Sequence, residues 1–75
     1  MTVEFAKTIK NLRTSKGLSQ LELANRLFVT RSTVARWETG SREPDATMIV
    51  KIAEVLGVDV ETLIAAAAET TLGSE

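Results

Sequence analysis

Two helix-start signals stand only eleven residues apart between Leu18 and Gly40, so close that the chain between them has room for one short helix and a corner. In Leu18-Ser19-Gln20-Leu21-Glu22-Leu23, Ser19 is placed to accept from the backbone N–H of Glu22, while the Glu22 carboxylate reaches back to the N–H of Ser19. This reciprocal pair satisfies donors that a helix start otherwise leaves open. Leu18 and Leu23 close over the box as a hydrophobic staple. Thr30, with Val29 and Val34 as its staple, repeats part of the pattern and starts a second helix at Arg31. Gly40 supplies the left-handed residue that ends it. Only Phe28 and Val29 separate the two helices.

Two helices joined in this way form a helix-turn-helix, and the rest of the chain reads as helix too. Phe5, Ile9, Leu12 and the aliphatic stem of Lys16 share one face of a first helix, which Gly17 closes. The second helix offers Leu23, Ala24 and Leu27 to a core, and the third offers Val34 and Trp37 one turn apart. Trp37 reads as a core anchor, with a place at a ligand surface as the competing reading. Asp45 caps a fourth helix carrying Met48, Ile49, Ile52, Ala53 and Leu56, and Gly57 ends it. Asp59 caps a fifth, with Val58 and Leu63 as staple and Leu63, Ile64 and Ala67 on a common face. From Thr70 the residues turn small and polar. The expected organisation is one all-α domain of five helices over residues 1–69, followed by a flexible tail over 70–75. A chain of 75 residues has room for a single small core.

The formal net charge of −1 hides a strong asymmetry. All nine Lys and Arg lie between Lys7 and Lys51, against five Asp and Glu up to Lys51. Residues 52–75 hold five acids and no base. A locally basic surface, and not the total charge, sets attraction to phosphate.

Several function classes fall away. Without His or Cys, the commonest proton shuttle and the thiol nucleophile are missing, no glycine-rich phosphate loop is present, and the carboxylates are scattered, so no catalytic residue, metal site or cofactor is expected. The lack of cysteine also removes a disulfide framework, which points to the cytoplasm. No leader pattern and no apolar run of membrane-spanning length occur, so a soluble protein away from membranes is expected.

The run Phe5-x-x-x-Ile9-x-x-Leu12-Arg13, Gly17-Leu18-Ser19-Gln20-x-Glu22-Leu23-Ala24, Val29-Thr30-Arg31-Ser32-Thr33-Val34-x-Arg36-Trp37-Glu38-x-Gly40, then Pro44 and Leu56-Gly57-Val58 resembles the Cro and phage-repressor type of helix-turn-helix protein. The resemblance covers about residues 5 to 65 and implies a lambda-repressor-like fold. It further implies a regulator of transcription, a repressor, that lays the helix from Arg31 to Glu38 in the major groove of double-stranded DNA and meets the backbone with the Gln20 end of the preceding helix. Arg31 and Arg36 are then the foremost base-reading candidates, since a guanidinium pairs in bidentate fashion with O6 and N7 of guanine. Ser32 and Thr33 are less selective base contacts. Gln20, at a helix N-terminus that favours an oxyanion, is the leading phosphate contact. Thr30 serves the same end or acts as a cap alone, and Ser41 and Arg42 are placed by resemblance beside the same backbone, with Arg42 able instead to pair with Glu43. Arg13 and Glu38 occupy positions that in this family form a partly buried structural ion pair.

Phe28 departs from the pattern, because many family members carry glycine at the turn. A bulky residue with positive φ is strained by about 1–2 kcal/mol. Either the turn differs or the ring packs, and packing over the first helix is the expected outcome, with service to a partner or to a dimer as the other reading. A homodimer is implied by the family, with Leu63 and Ile64 of the fifth helix as its candidate interface, although the same face serves equally to close the monomer core. Two alternatives remain in view: a protein-binding module, such as an antitoxin that meets both DNA and a partner protein, and the DNA-binding domain of a longer regulator.

Overall fold

In the computed structural model, residues 3–65 are described. Four helices, α1 (Val3–Ser15), α2 (Gln20–Leu27), α3 (Arg31–Thr39) and α4 (Ala46–Leu56), are followed by a fifth, α5, over residues 60–65. The expected tail and Ala67 lie outside the described residues. Among the described residues no helix is long and apolar enough to cross a membrane.

The caps form where the side-chain chemistry places them. Ser19 Oγ accepts from Glu22 N at 3.0 Å and Glu22 Oε1 from Ser19 N at 2.8 Å, completing the box. Thr30 Oγ1 accepts from Thr33 N at 3.2 Å, and Asp45 Oδ1 from Met48 N at 2.8 Å. The bond from Ser19 N and then that from its hydroxyl lower the Glu22 pKa from its ordinary value, with desolvation opposing them and the charge of Arg26 adding to them. A group whose folded value is lowered contributes stability above the ordinary carboxylate range, and loses it as pH falls through the lowered value. Taking the protein from about pH 6 to about pH 3 is therefore expected to lower the melting temperature more in the wild type than in Glu22→Gln. Equal slopes would contradict this linkage.

All four longer helices end alike. A backbone N–H just past each helix bonds to a carbonyl five residues back: Leu18 to Arg13, Val29 to Ala24, Ser41 to Arg36 and Val58 to Ala53. This closure needs a left-handed residue, supplied at three ends by Gly17, Gly40 and Gly57, with φ of 72°, 80° and 71°. At the end of α2 it is Phe28, with φ 59° and ψ 40°. The turn is thus the ordinary one, forced on a residue that pays for it, and the expected packing of the ring over α1 is not found. Phe28 is 94% exposed. Phe28→Gly relieves strain of about 1–2 kcal/mol and costs about 0.5–1 kcal/mol in extra unfolded-state freedom. The variant is expected to melt a few degrees higher, and a lower melting temperature would show that the ring holds the fold.

The core gathers Phe5, Ile9, Leu23, Leu27, Val34, Trp37, Ile49, Ile52, Leu56 and Leu63. α3 packs against both α1 and α2, and α2 also meets α4, so the helix-turn-helix is clamped from two sides. Trp37, 3% exposed, is a core residue. Lys16 is not, despite its spacing: it is exposed beyond the end of α1, where its ammonium would meet a Cβ added at Gly57 at 2.9 Å. That places a cation at the C-terminus of α4, the negative end of the helix dipole. The two residues of the candidate interface on α5 part company. Leu63 is fully buried within the monomer, whereas Ile64 is 51% exposed, so of the pair only Ile64 offers apolar surface to a second copy.

Candidate nucleic-acid interface

The position of α3 follows from what its inward face must satisfy. Val34 and Trp37 anchor it in the core, leaving Ser32 and Arg36, one turn apart, on the outward face; both are exposed. Arg31 and Thr33 fall on opposite flanks of that face. Thr33 is half-buried and its hydroxyl lies 2.9 Å from that of Thr30. Both threonines border a surface groove of about 370 Å³ whose walls also include Trp37, Arg42 and Met48. Thr30 and Arg42 are therefore brought together beside α3. Ser41 is exposed at the end of the helix, where its hydroxyl lies 3.1 Å from that of Thr39 and donates to Arg36 O at 3.4 Å.

On the other flank, Arg13 and Glu38 join α1 to α3. Arg13 donates from Nε to Glu38 Oε2 at 2.6 Å and from Nη2 to Glu38 Oε1 at 3.0 Å, a two-pronged pairing. Its Nη1 donates to Leu18 O at 2.7 Å. The side chains are 10% and 3% exposed, respectively. The hydrogen bond to Glu38 raises the Arg13 pKa, with desolvation opposing it and the charge of Glu38 adding to it. The guanidinium is thus permanently charged, as the carboxylate beside it requires. All three nitrogens of the fork are occupied, which makes this pair part of the frame.

Gln20 is not the freely presented side chain that its place at a helix start suggested. Its Nε2 donates to Glu38 Oε1 at 3.1 Å, and its Oε1 accepts from Arg31 Nη1 at 3.3 Å. A polar chain therefore runs from Arg13 through Glu38 and Gln20 to Arg31. Nothing in the local sequence announces it, because its members are eleven to twenty-five residues apart and meet only once the corner has folded. Among the described residues no group of carboxylates has the arrangement of a metal site.

The positively charged groups of this surface are Arg31, Arg36 and Arg42, all exposed. Glu38 is paired with Arg13, while Glu43 and Asp45 line the same groove as Arg42. The result is a convex helix bearing guanidinium and hydroxyl groups, a shape suited to a groove and not to enclosing a small molecule.

The helix-turn-helix family model matches residues 9–63, spanning α1 to α5. YonR, a prophage-derived uncharacterized helix-turn-helix transcriptional regulator of Bacillus subtilis, is 38% identical over 80% of this chain and 56% of its own length. The chain thus spans about half of that relative. Among solved structures, the restriction-modification controller protein C.AhdI of Aeromonas hydrophila superposes with a TM-score of 0.77 at 38% identity, covering 81% of this chain and 92% of that one. SinR, a master regulator for biofilm formation solved in complex with DNA, gives 0.74 at 33% identity, covering 80% and 97%. The motifs, the four helix closures and these likenesses agree: the chain belongs to the helix-turn-helix family of the Cro and phage-repressor type.

Proposed function

We propose that this chain is a sequence-specific regulator of transcription that binds double-stranded DNA with α3 in the major groove. The observation that carries the reading is the outward face of α3, where Arg31, Ser32 and Arg36 stand exposed on a helix whose opposite side is locked into the core. In this reading Arg31 and Arg36 pair with guanines, Ser32 meets a base edge, and Thr33 reaches a base at the margin of the contact. Thr30, Ser41 and Arg42 line the backbone on one side. Gln20 meets it on the other, through its second amide hydrogen and the open backbone N–H groups of the α2 start. The function is binding without a catalytic step, and it is exercised in the cytoplasm, where the DNA is. A protein seated in the groove excludes other proteins from the same site, so repression is the direct consequence.

A homodimer completes the proposal. A single half-site buries little surface, and a two-fold pair spaced about 34–36 Å on one face of the duplex doubles it. Ile64, exposed beside the buried Leu63, is a large apolar side chain of α5 available to that contact. Two observations favour extensions of this reading. The chain matches only about half of YonR, as expected of the DNA-binding part of a longer regulator. The exposed ring of Phe28 suits a domain that also meets a protein partner, as in a DNA-binding antitoxin.

The test is a titration of the chain onto duplex DNA at two salt concentrations. Affinity is expected to fall steeply with salt, because each phosphate neutralised releases counterions. Absence of binding at low salt would overturn the proposal.

A further inference from the structure

We propose that the exposed ring of Phe28 and the groove beside it form a contact with a second copy of this chain, the ring of each copy seated in the groove of the other. The contact is built from residues other than those of the outward face of α3 and does not depend on the DNA-binding reading.

The ring is an outlier with no use inside the monomer. Three of the four helix closures set glycine at the left-handed position, and only the end of α2 sets a bulky residue there, with φ 59°. Backbone strain that a fold keeps where no local contact needs it points to a role outside that fold. The side chain held in this way is 94% exposed. Large aromatic side chains dominate the energetics of interfaces, and one fixed on a tight turn is presented as an anchor.

Beside the ring is a receptacle. A groove of about 200 Å³ lies between the end of α2 and α4, with Leu27 and Val55 as its apolar lining and Arg26, Lys51 and Glu54 around them. Phe28 borders this groove without filling it, as its exposure shows. The groove beside α3 shares none of these residues.

Knob and hole on one patch make that patch self-complementary, the mark of a two-fold contact in which residue i meets j and j meets i. The charges agree. Lys51 and Glu54 stand exposed one turn apart on α4, and neither is ion-paired among the described residues. An acidic partner would be opposed by Glu54 and a basic one by Arg26 and Lys51, whereas a two-fold axis sets Lys51 against the partner's Glu54, twice over. Centred on one ring in a shallow groove, the contact belongs with small, transient interfaces.

The experiment follows the 75-residue chain without DNA, by sedimentation over a concentration series reaching about 1 mM. Every protein carries Ile64→Asp, which charges the exposed side chain of α5 and silences a contact there. This parent chain is expected to self-associate, and added Phe28→Gly to weaken the association about thirtyfold, the loss of a central aromatic anchor. Melting at low concentration, where the contact is not formed, checks that Phe28→Gly is folded. Charge exchange supplies a second arm. Lys51→Glu and Glu54→Lys should each weaken self-association, while an equimolar mixture of the two should associate more tightly than either alone, because contacts between unlike copies then pair opposite charges. A parent chain that stays monomeric throughout the series would overturn the inference and return Phe28 to a different protein partner. Self-association that survives Phe28→Gly unchanged would overturn it as well, and so would a mixture that associates no better than its parts.

Discussion

Arg13→Ala is expected to remove a large part of the stability of the domain. The substitution leaves the Glu38 carboxylate, 3% exposed, without its counter-charge, and leaves Leu18 O without its donor. Removing one partner of a buried pair typically costs about 3–5 kcal/mol, and a domain of this size is stable by only about 4–11 kcal/mol. With about 4–8 °C of melting temperature per kcal/mol, a fall of at least about 12 °C is expected in a thermal melt. The loss is chiefly that of the uncompensated charge, not of the pair itself, since desolvation offsets most of the attraction between two buried ions. The double variant Arg13→Met with Glu38→Leu should therefore recover much of what Arg13→Ala loses. A single variant that melts with the wild type would show the pair to be a solvated surface contact.

The second large effect concerns binding and leaves the fold alone. Arg31→Ala with Arg36→Ala removes two exposed side chains from one helix and empties no core position, so the melting temperature should stay within a few degrees. Each guanidinium that pairs in bidentate fashion with guanine contributes about 1–3 kcal/mol of discrimination. Together they are expected to cost at least about thirtyfold in affinity for the selected site, and the variant should bind selected and unrelated duplexes alike. Retained discrimination would move base reading elsewhere, to Ser32, Thr33 or the loop after α3.

The parts of this molecule that were legible in its sequence are those written in local chemistry. A serine with a glutamate three residues on, a threonine or aspartate before an apolar stripe and a glycine after one act within a single turn, and Ser19, Thr30, Asp45, Gly40 and Gly57 all do as their spacing indicates. Phe28 sits between the two cases. Its conflict with the turn was visible, but the fate of its ring was not, because that depends on where a left-handed residue points its Cβ. Helical spacing also failed to separate Leu63 from Ile64, adjacent residues about 100° apart on a helix, of which one is buried and one exposed. Lys16 shares the spacing of a core face that ends one turn before it. The ion pair of Arg13 with Glu38 carried no local signal at all; a twenty-five-residue separation is readable only through resemblance to a known fold. The engagement of Gln20 was not readable even so, because it depends on an arginine at position 31 and on the carboxylate behind the amide.

The account turns on whether α3 reads sequence. The most direct measurement is selection of duplexes from a random pool by the wild-type chain, followed by sequencing. Enrichment of a two-fold symmetric site, with guanines at positions whose preference is lost in Arg31→Ala or Arg36→Ala, is the predicted result. Recovery of a pool with no enriched sequence, bound weakly and only at low salt, would contradict it.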